Sequence, residues 1–154
     1  MARGYTLVEL ILVLVLTAIL ATDVATRNPS GALDAAGVAK QVAGAVRLAQ
    51  LYSMTKGARY CVHFAATGYA LATKGCTQPV TDPITGESTV TLPDGMTLAW
   101  AGLPAASVSF SGNGIPYAGG GTTQPLAAAV TVSVADGSSV SRFVITPQTG
   151  AVLP

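Results

Sequence analysis

The chain offers few side chains that could do chemistry together. It has one histidine, His63, so a Ser-His-Asp triad or a zinc site has little to draw on. Four carboxylates fall in or beside predicted turns, at Asp82, Glu87, Asp94 and Asp136. Carboxylates in turns more often bond to nearby backbone than pair as acid and base. These residues favour a protein that is not an enzyme, with no metal and no cofactor. A calcium site in the loop 82–87 is the alternative, with too few carboxylates to suit that ion.

One further carboxylate, Glu9, stands near the start of a long apolar run. The run covers residues 5–22 and follows a short basic head. A helix over it would be about 27 Å long, close to the hydrocarbon thickness of a bilayer, which predicts a transmembrane helix at 5–22. A carboxylate in a membrane span costs a few kcal/mol or more, so it usually has a function.

The residues around Glu9 form a recognisable motif. Gly4-Tyr5-Thr6-Leu7-Val8-Glu9-Leu10 resembles the processing site of type IV prepilins and type II secretion pseudopilins. The pattern of that family is Gly, Phe, Thr, Leu, an aliphatic residue and Glu. Tyr5 replaces the commoner Phe and keeps the ring. The resemblance implies that a prepilin peptidase removes a leader of residues 1–4 by cutting between Gly4 and Tyr5, and then methylates the amine of Tyr5.

The resemblance also implies a role for Glu9 in filament assembly. Its carboxylate would pair with the N-terminal amine of a neighbouring subunit in apolar surroundings, where an unpaired charge is heavily penalised. Glu9 would then set the axial register of the subunits. Two alternatives are a single-span protein whose Glu9 reaches the membrane interface, and a secretory signal peptide. The glutamate inside the apolar run, and the lack of a small-x-small site in residues 18–25, speak against a signal peptide.

Composition and charge indicate an exported protein without a nucleic-acid surface. Only 10% of the residues are charged, and the formal net charge is +1 with scattered basic residues. Because the basic residues do not cluster, they form no stripe that could bind the phosphates of a nucleic acid, and we expect no nucleic-acid partner. The aromatic residues Trp100, Tyr117 and Tyr69 could form a stacking surface, but core or half-buried positions are more typical.

The two cysteines, Cys61 and Cys76, suggest a disulfide, since an even pair at short spacing is typical of exported domains. The alternative is two reduced, buried thiols. A bridge would close a loop of about 15 residues and contribute about 3 kcal/mol.

Behind the apolar run the chain divides into a joint and a helix. Asn28 and Pro29 disfavour helix, so residues 23–31 are predicted as a flexible joint. Over 32–56, apolar residues recur at steps of three and four, which predicts an amphipathic helix that ends at Gly57. Its predicted core stripe is Ala35, Val38, Val42, Ala45, Ala49 and Tyr52. Glycine inside a helix costs about 1 kcal/mol relative to alanine, so Gly37 and Gly44 suggest close approach of another helix in a filament.

Residues 58–154 have the pattern of short strands separated by turns. Strands are predicted at 59–64, 68–73, 89–92, 96–100, 107–110, 129–134, 141–146 and, at an edge, 151–153. Asp136-Gly137 signals the turn between the last two longer strands. Residues 79–87 are predicted as a loop.

The resemblance to pilins implies an α+β, pilin-like fold, in which a long N-terminal helix packs on an antiparallel sheet of short strands, with a soluble head at 32–154. The helix end 45–50 and Lys56-Gly57 resemble H-type pseudopilins. The cysteine spacing and the last strand, 146–152, resemble minor pilins of the mannose-sensitive haemagglutinin type.

The implied function is that of a structural minor subunit of a type IV pilus or type II secretion pseudopilus. The implied location is the inner membrane with a periplasmic head, and then the filament. The implied partners are other pilin or pseudopilin subunits, the prepilin peptidase and an inner-membrane assembly platform. The alternative function is a tip subunit that binds a surface or DNA, although residues 146–154 contain no basic residue for DNA.

Overall fold

A computed structural model describes residues 7–26, 35–120 and 124–154. The chain divides into two compact units, Met1–Ala32 and Leu33–Pro154, which are described separately. The first unit contains helix α1, Leu7–Thr26. Among the helices of the described ranges, none combines the length and the apolarity needed to cross a membrane. The last four residues of α1 fall in the predicted joint 23–31, and residues 27–34 lie outside the described residues.

The second unit, here called the head, begins with helix α2, Ala35–Lys56. Its buried residues follow the predicted spacing, and among the predicted stripe only Tyr52 is half-buried. The buried set is Ala35, Val38, Ala39, Val42, Ala43, Ala45, Val46, Ala49 and Ser53. Gly57 follows the helix with a φ of 62°, the left-handed conformation that ends many helices, as predicted.

Ten strands in the described part of the head form two antiparallel sheets, where the sequence analysis expected one. The strands are β1 Tyr60–Ala65, β2 Gly68–Thr73, β3 Gln78–Pro79, β4 Thr89–Thr91, β5 Thr97–Ala101, β6 Ser107–Phe110, β7 Pro116–Ala118, β8 Val130–Ala135, β9 Val140–Ile145 and β10 Val152–Leu153. The first sheet has the order β3-β2-β1-β6-β7, and β4 also pairs with β2. The second sheet has the order β10-β9-β8-β5.

The two strands that the sequence analysis did not predict, β3 and β7, are the outermost strands of the first sheet. Each is short and contains a proline, Pro79 or Pro116. A proline cannot donate to a strand ladder, so it is tolerated mainly at sheet edges. Their position at the edge therefore explains why these strands tolerate a proline, and the proline explains why their sequence signal is weak. Pro79 falls in the predicted loop 79–87, whose other residues lie outside the strands.

Helix α2 packs on both sheets and closes one hydrophobic core. Val42 and Val46 of α2 are fully buried, together with Phe110 of the first sheet and Val132 and Ile145 of the second. The polar link at the end of the helix is Ser53. Its hydroxyl donates to the carbonyl of Ala49 (2.8 Å) and accepts from the backbone N–H of Tyr60 (3.1 Å). The α2 residues that remain exposed are therefore the part of the helix available to another molecule.

Candidate functional site: the N-terminal helix and the outer face of the head helix

Helix α1 exposes large apolar side chains along most of its first half. Val8 is 72% exposed. The other members of this set, each between 51% and 59% exposed, are Leu10, Ile11, Leu12, Val13, Leu14, Val15 and Leu16. Removal of apolar surface of this extent from water lowers the free energy, so burial of these side chains in apolar surroundings would stabilise the helix. Glu9 lies in α1, while Gly4 and Tyr5 lie outside the described residues.

Helix α2 has one continuous outer face, formed by Lys40, Gly44, Arg47, Leu51 and Met54 at steps of three and four. Leu51 and Met54 are each 54% exposed. A Cβ atom built on Gly44 would meet nothing within 4 Å. Packing of the head therefore does not require glycine there, although glycine costs the helix about 1 kcal/mol. The outer face carries two charged residues, Lys40 and Arg47, on either side of Gly44, and is apolar at its C-terminal end.

Polar side chains of α2 tie the helix to loops of both sheets. The Gln50 side-chain amide donates to the carbonyl of Gly114 (2.9 Å), beside β7, and to that of Thr149 (2.8 Å), before β10. The Arg47 guanidinium donates to the carbonyl of Val152 (2.8 Å). Neither role was predictable from the sequence, because the residues next to Gln50 and Arg47 in the chain do not indicate their partners. These bonds fix the outer face relative to the two sheets.

Cys61 and Cys76 form a disulfide with their Cα atoms 5.4 Å apart, which confirms the predicted bridge. It joins β1 to the turn between β2 and β3. His63 Nε2 lies 3.0 Å from the carbonyl oxygen of Cys76, so the only histidine is a strand residue with a hydrogen-bond partner. The bridge and the imidazole both position this turn.

Two of the acidic loop residues, Asp82 and Asp136, serve local structure. Asp82 is buried, and its carboxylate accepts from the backbone N–H of Ile84 (2.8 Å) and from the hydroxyl of Tyr69 (3.3 Å). Both oxygens are therefore engaged within the protein. Backbone N–H groups of Ser139 and Ser138 hold the pKa of the Asp136 carboxyl well below its usual range. Across the described residues, no group of three or more His, Cys, Asp or Glu could hold a metal ion.

The aromatic residues lie in or beside the core. Tyr69 is buried, and Trp100 is half-buried with its ring 6.0 Å from that of Phe64. The Arg59 guanidinium covers the ring of Tyr117 at 4.5 Å. These positions agree with the expectation that the three aromatic residues are packing residues.

Ionisation of Tyr69 is expected to make the head less stable at alkaline pH. Burial, and secondly the Asp82 carboxylate, raise the pKa of Tyr69 to about 12. The unfolded tyrosine ionises near its ordinary pKa of about 10, so the unfolded state loses the proton first. We expect this contribution to the free energy of unfolding to be fully present below about pH 10. It should be lost, by about 2 kcal/mol, as the pH rises to about 12.

Urea unfolding of the parent and of Tyr69→Phe between about pH 9 and pH 12 tests this dependence. At neutral pH the free energy of unfolding of the variant should be about 1 kcal/mol lower, because the hydrogen bond to Asp82 is removed. Its stability should fall less than that of the parent as the pH rises. Equal alkaline losses in the two proteins would contradict the assignment.

Comparisons with known proteins match the N-terminal segment to a family and the fold to solved structures. Residues 1–22 match the family described as "Prokaryotic N-terminal methylation motif". No curated protein matches the chain. The minor pseudopilin EpsH from the type 2 secretion system of Vibrio cholerae is a similar solved structure, with a TM-score of 0.57 and 16% identity over 77% of this chain and 94% of that one. The type IV minor pilin FimU of Pseudomonas aeruginosa (strain PAO1) has a TM-score of 0.52 and 10% identity over 74% of this chain and 86% of that one.

These structures share the fold with the chain. At 16% and 10% identity the likeness is one of fold, and the family match covers residues 1–22. The chain thus combines an N-terminal methylation motif with an α+β, pilin-like fold.

Proposed function

We propose that the chain is a minor subunit of a type IV pilus or of a type II secretion pseudopilus. A prepilin peptidase cuts it between Gly4 and Tyr5 and methylates Tyr5. The product stays in the inner membrane by residues 5–22, with the head in the periplasm, until an assembly platform moves it into a filament. The motif match over residues 1–22 carries this proposal, and the fold of the head supports it.

The surfaces of the chain suit this cycle of membrane and filament. The exposed apolar side chains of α1 would be covered first by lipid and then by the same helices of neighbouring subunits. The outer face of α2 is suited to contact a neighbouring head, since Gly44 leaves open space there. Each step exchanges one apolar surrounding for another, so extraction from the bilayer need not expose α1 to water.

Intact-mass and N-terminal peptide analysis of the protein from native membranes tests the proposal. A chain that starts at a methylated Tyr5 is the expected result. A chain that retains Met1 would indicate an unprocessed single-span protein, and a start beyond Ala21 would indicate a cleaved signal peptide. Either of these two outcomes would overturn the proposal.

The Glu9 carboxylate sets the register of neighbouring subunits in this proposal. Without it, the methylated amine of the next subunit would be buried without its counter-charge, which is strongly unfavourable. We expect Glu9→Ala and Glu9→Gln to reach the membrane at parental levels and to lower the amount in sheared filaments by about tenfold or more.

Asp23→Asn is the matched control for Glu9, because it also removes one carboxylate from α1. It should assemble like the parent. Normal assembly of Glu9→Ala at equal expression would show that the register role is wrong, and equal defects in all three variants would show that the role is not specific to Glu9.

A further inference from the structure

The turn between β6 and β7 contains the pair Asn113-Gly114, in which an exposed asparagine precedes a buried glycine. The backbone N–H of Gly114 donates to the carbonyl of Ser111 (2.8 Å) and closes the turn. Gly114 has a φ of 77°, the left-handed conformation that favours glycine at the end of a short hairpin loop. The turn therefore favours a glycine directly after Asn113, and this pair of residues is chemically reactive.

An asparagine that precedes a glycine reacts with the backbone nitrogen of that glycine. The nitrogen of Gly114 loses its proton and attacks Cγ of Asn113, the bond between Cγ and Nδ2 breaks, and ammonia leaves. Water then opens the five-membered ring and leaves either aspartate or isoaspartate at position 113, and in isoaspartate the main chain runs through Cγ. Glycine favours the attack because it has no side chain to hinder it, and asparagine is among the thermolabile residues.

The fold holds the attacking residue on both sides. The N–H of Gly114 is engaged by Ser111, and its carbonyl accepts from the side-chain amide of Gln50 (2.9 Å). A Cβ atom on Gly114 would lie 3.0 Å from Met54 Sδ, so α2 covers this part of the turn. A nitrogen whose N–H is held in a hydrogen bond loses its proton less readily and is not free to rotate toward Cγ. The attack therefore requires local opening of the turn.

We propose that Asn113-Gly114 is a deamidation site that the closed turn protects, and that reaction there releases the turn from α2. Isoaspartate adds one carbon atom to the main chain between positions 113 and 114. The bonds of Gly114 to Ser111 and to Gln50 then cannot both be kept, so an opening that was reversible becomes permanent. This inference does not depend on the proposed function, because it requires neither a membrane nor a neighbouring subunit.

The first test incubates the full chain in detergent micelles in mildly alkaline buffer, followed by isotope-resolved mass spectrometry of its peptides. In guanidinium chloride the unfolded chain should deamidate at Asn113 and not at Asn28, the only other asparagine, because the nitrogen of Pro29 carries no proton. The folded chain should react at Asn113 about tenfold or more slowly than the unfolded chain. Equal rates would show that the turn does not protect the site, and an unreactive Asn113 in the unfolded chain would show that there is no site.

The second test opens the turn by substitution. Gln50→Ala removes the bond to Gly114 and should speed deamidation of the folded protein by about fivefold or more. The matched control is Gln41→Ala, which removes a glutamine of the same helix that approaches the hydroxyl of Tyr69 (3.5 Å), and should react within about twofold of the parent. The fluorescence of Trp100 reports whether both variants are folded. Equal rates in the two variants would overturn the protective role of the α2 contact.

A third measurement needs no variant. Isoaspartate-containing and unmodified chains, separated by ion exchange, are compared by amide hydrogen exchange. The amides of Ser111 and Ile115, which bond across the turn, should exchange about tenfold or more faster in the modified chain, whereas Val132 of the second sheet should be unchanged. Unchanged exchange at Ser111 and Ile115 would show that the reaction does not release the turn.

Discussion

Gly150→Ala is expected to destabilise the head by roughly 2–4 kcal/mol, from backbone strain and from overpacking. Gly150 has a φ of 67°, a left-handed conformation that a side chain disfavours. A Cβ atom there would lie 2.8 Å from Gln50 Nε2, 2.9 Å from the Gly114 carbonyl oxygen and 2.9 Å from Phe110 Cε1. These neighbours cannot easily give way, because Phe110 is fully buried and the Gln50 amide holds two carbonyl groups.

The matched control is Gly137→Ala in the turn between β8 and β9. Gly137 has a φ of 84°, and a Cβ atom there would meet nothing within 4 Å. This variant keeps the backbone strain without the overpacking, so it should cost only about 1–2 kcal/mol. Urea unfolding followed by the fluorescence of Trp100, the only tryptophan, measures both. Equal losses in the two variants would show that the contacts around Gly150 do not matter.

Replacement of both cysteines, by Cys61→Ala/Cys76→Ala, is expected to lower the free energy of unfolding by about 3 kcal/mol. The bridge closes a loop with a sequence separation of 15, which restricts the unfolded chain. It also holds the turn after β2, where Lys74, Gly75 and Cys76 have φ values of 50°, 74° and 69°. Left-handed conformations of residues other than glycine are costly, so this turn depends on its ties to the rest of the head.

The effect should reach the segment after β7 as well. A Cβ atom on Gly120 would lie 2.6 Å from Cys76 Cβ, so this glycine lies directly against the bridged turn. We expect faster amide exchange of Gly119 and Gly120 in the double variant than in the parent. Addition of a reducing agent should destabilise the parent to the same extent and leave the double variant unchanged. A parent that keeps its stability after reduction would contradict the stabilising role of the bridge.

The sequence alone was sufficient for features whose signals are local. Burial in α2 follows the spacing of its alanines and valines, because the 3.6-residue period decides which side chains share a face. The predicted strand 141–146 is β9, Val140–Ile145, and the predicted Asp136-Gly137 turn is made by bonds from Ser138 and Ser139 to Asp136. The prepilin motif is likewise a contiguous run, confirmed by the match over residues 1–22.

Only the tertiary structure decided which distant residues meet. The strands pair into two sheets, and the proline-containing edge strands β3 and β7 are defined by their pairing with β2 and β6. Gln50 reaches Thr149 across 99 positions, and Arg47 reaches Val152 across 105. Arg142 joins Lys40 and Arg47 in one cleft only because β9 packs beside α2. The residues next to a polar side chain in the sequence do not indicate its hydrogen-bond partner, because the packing of whole helices and strands determines which residues meet.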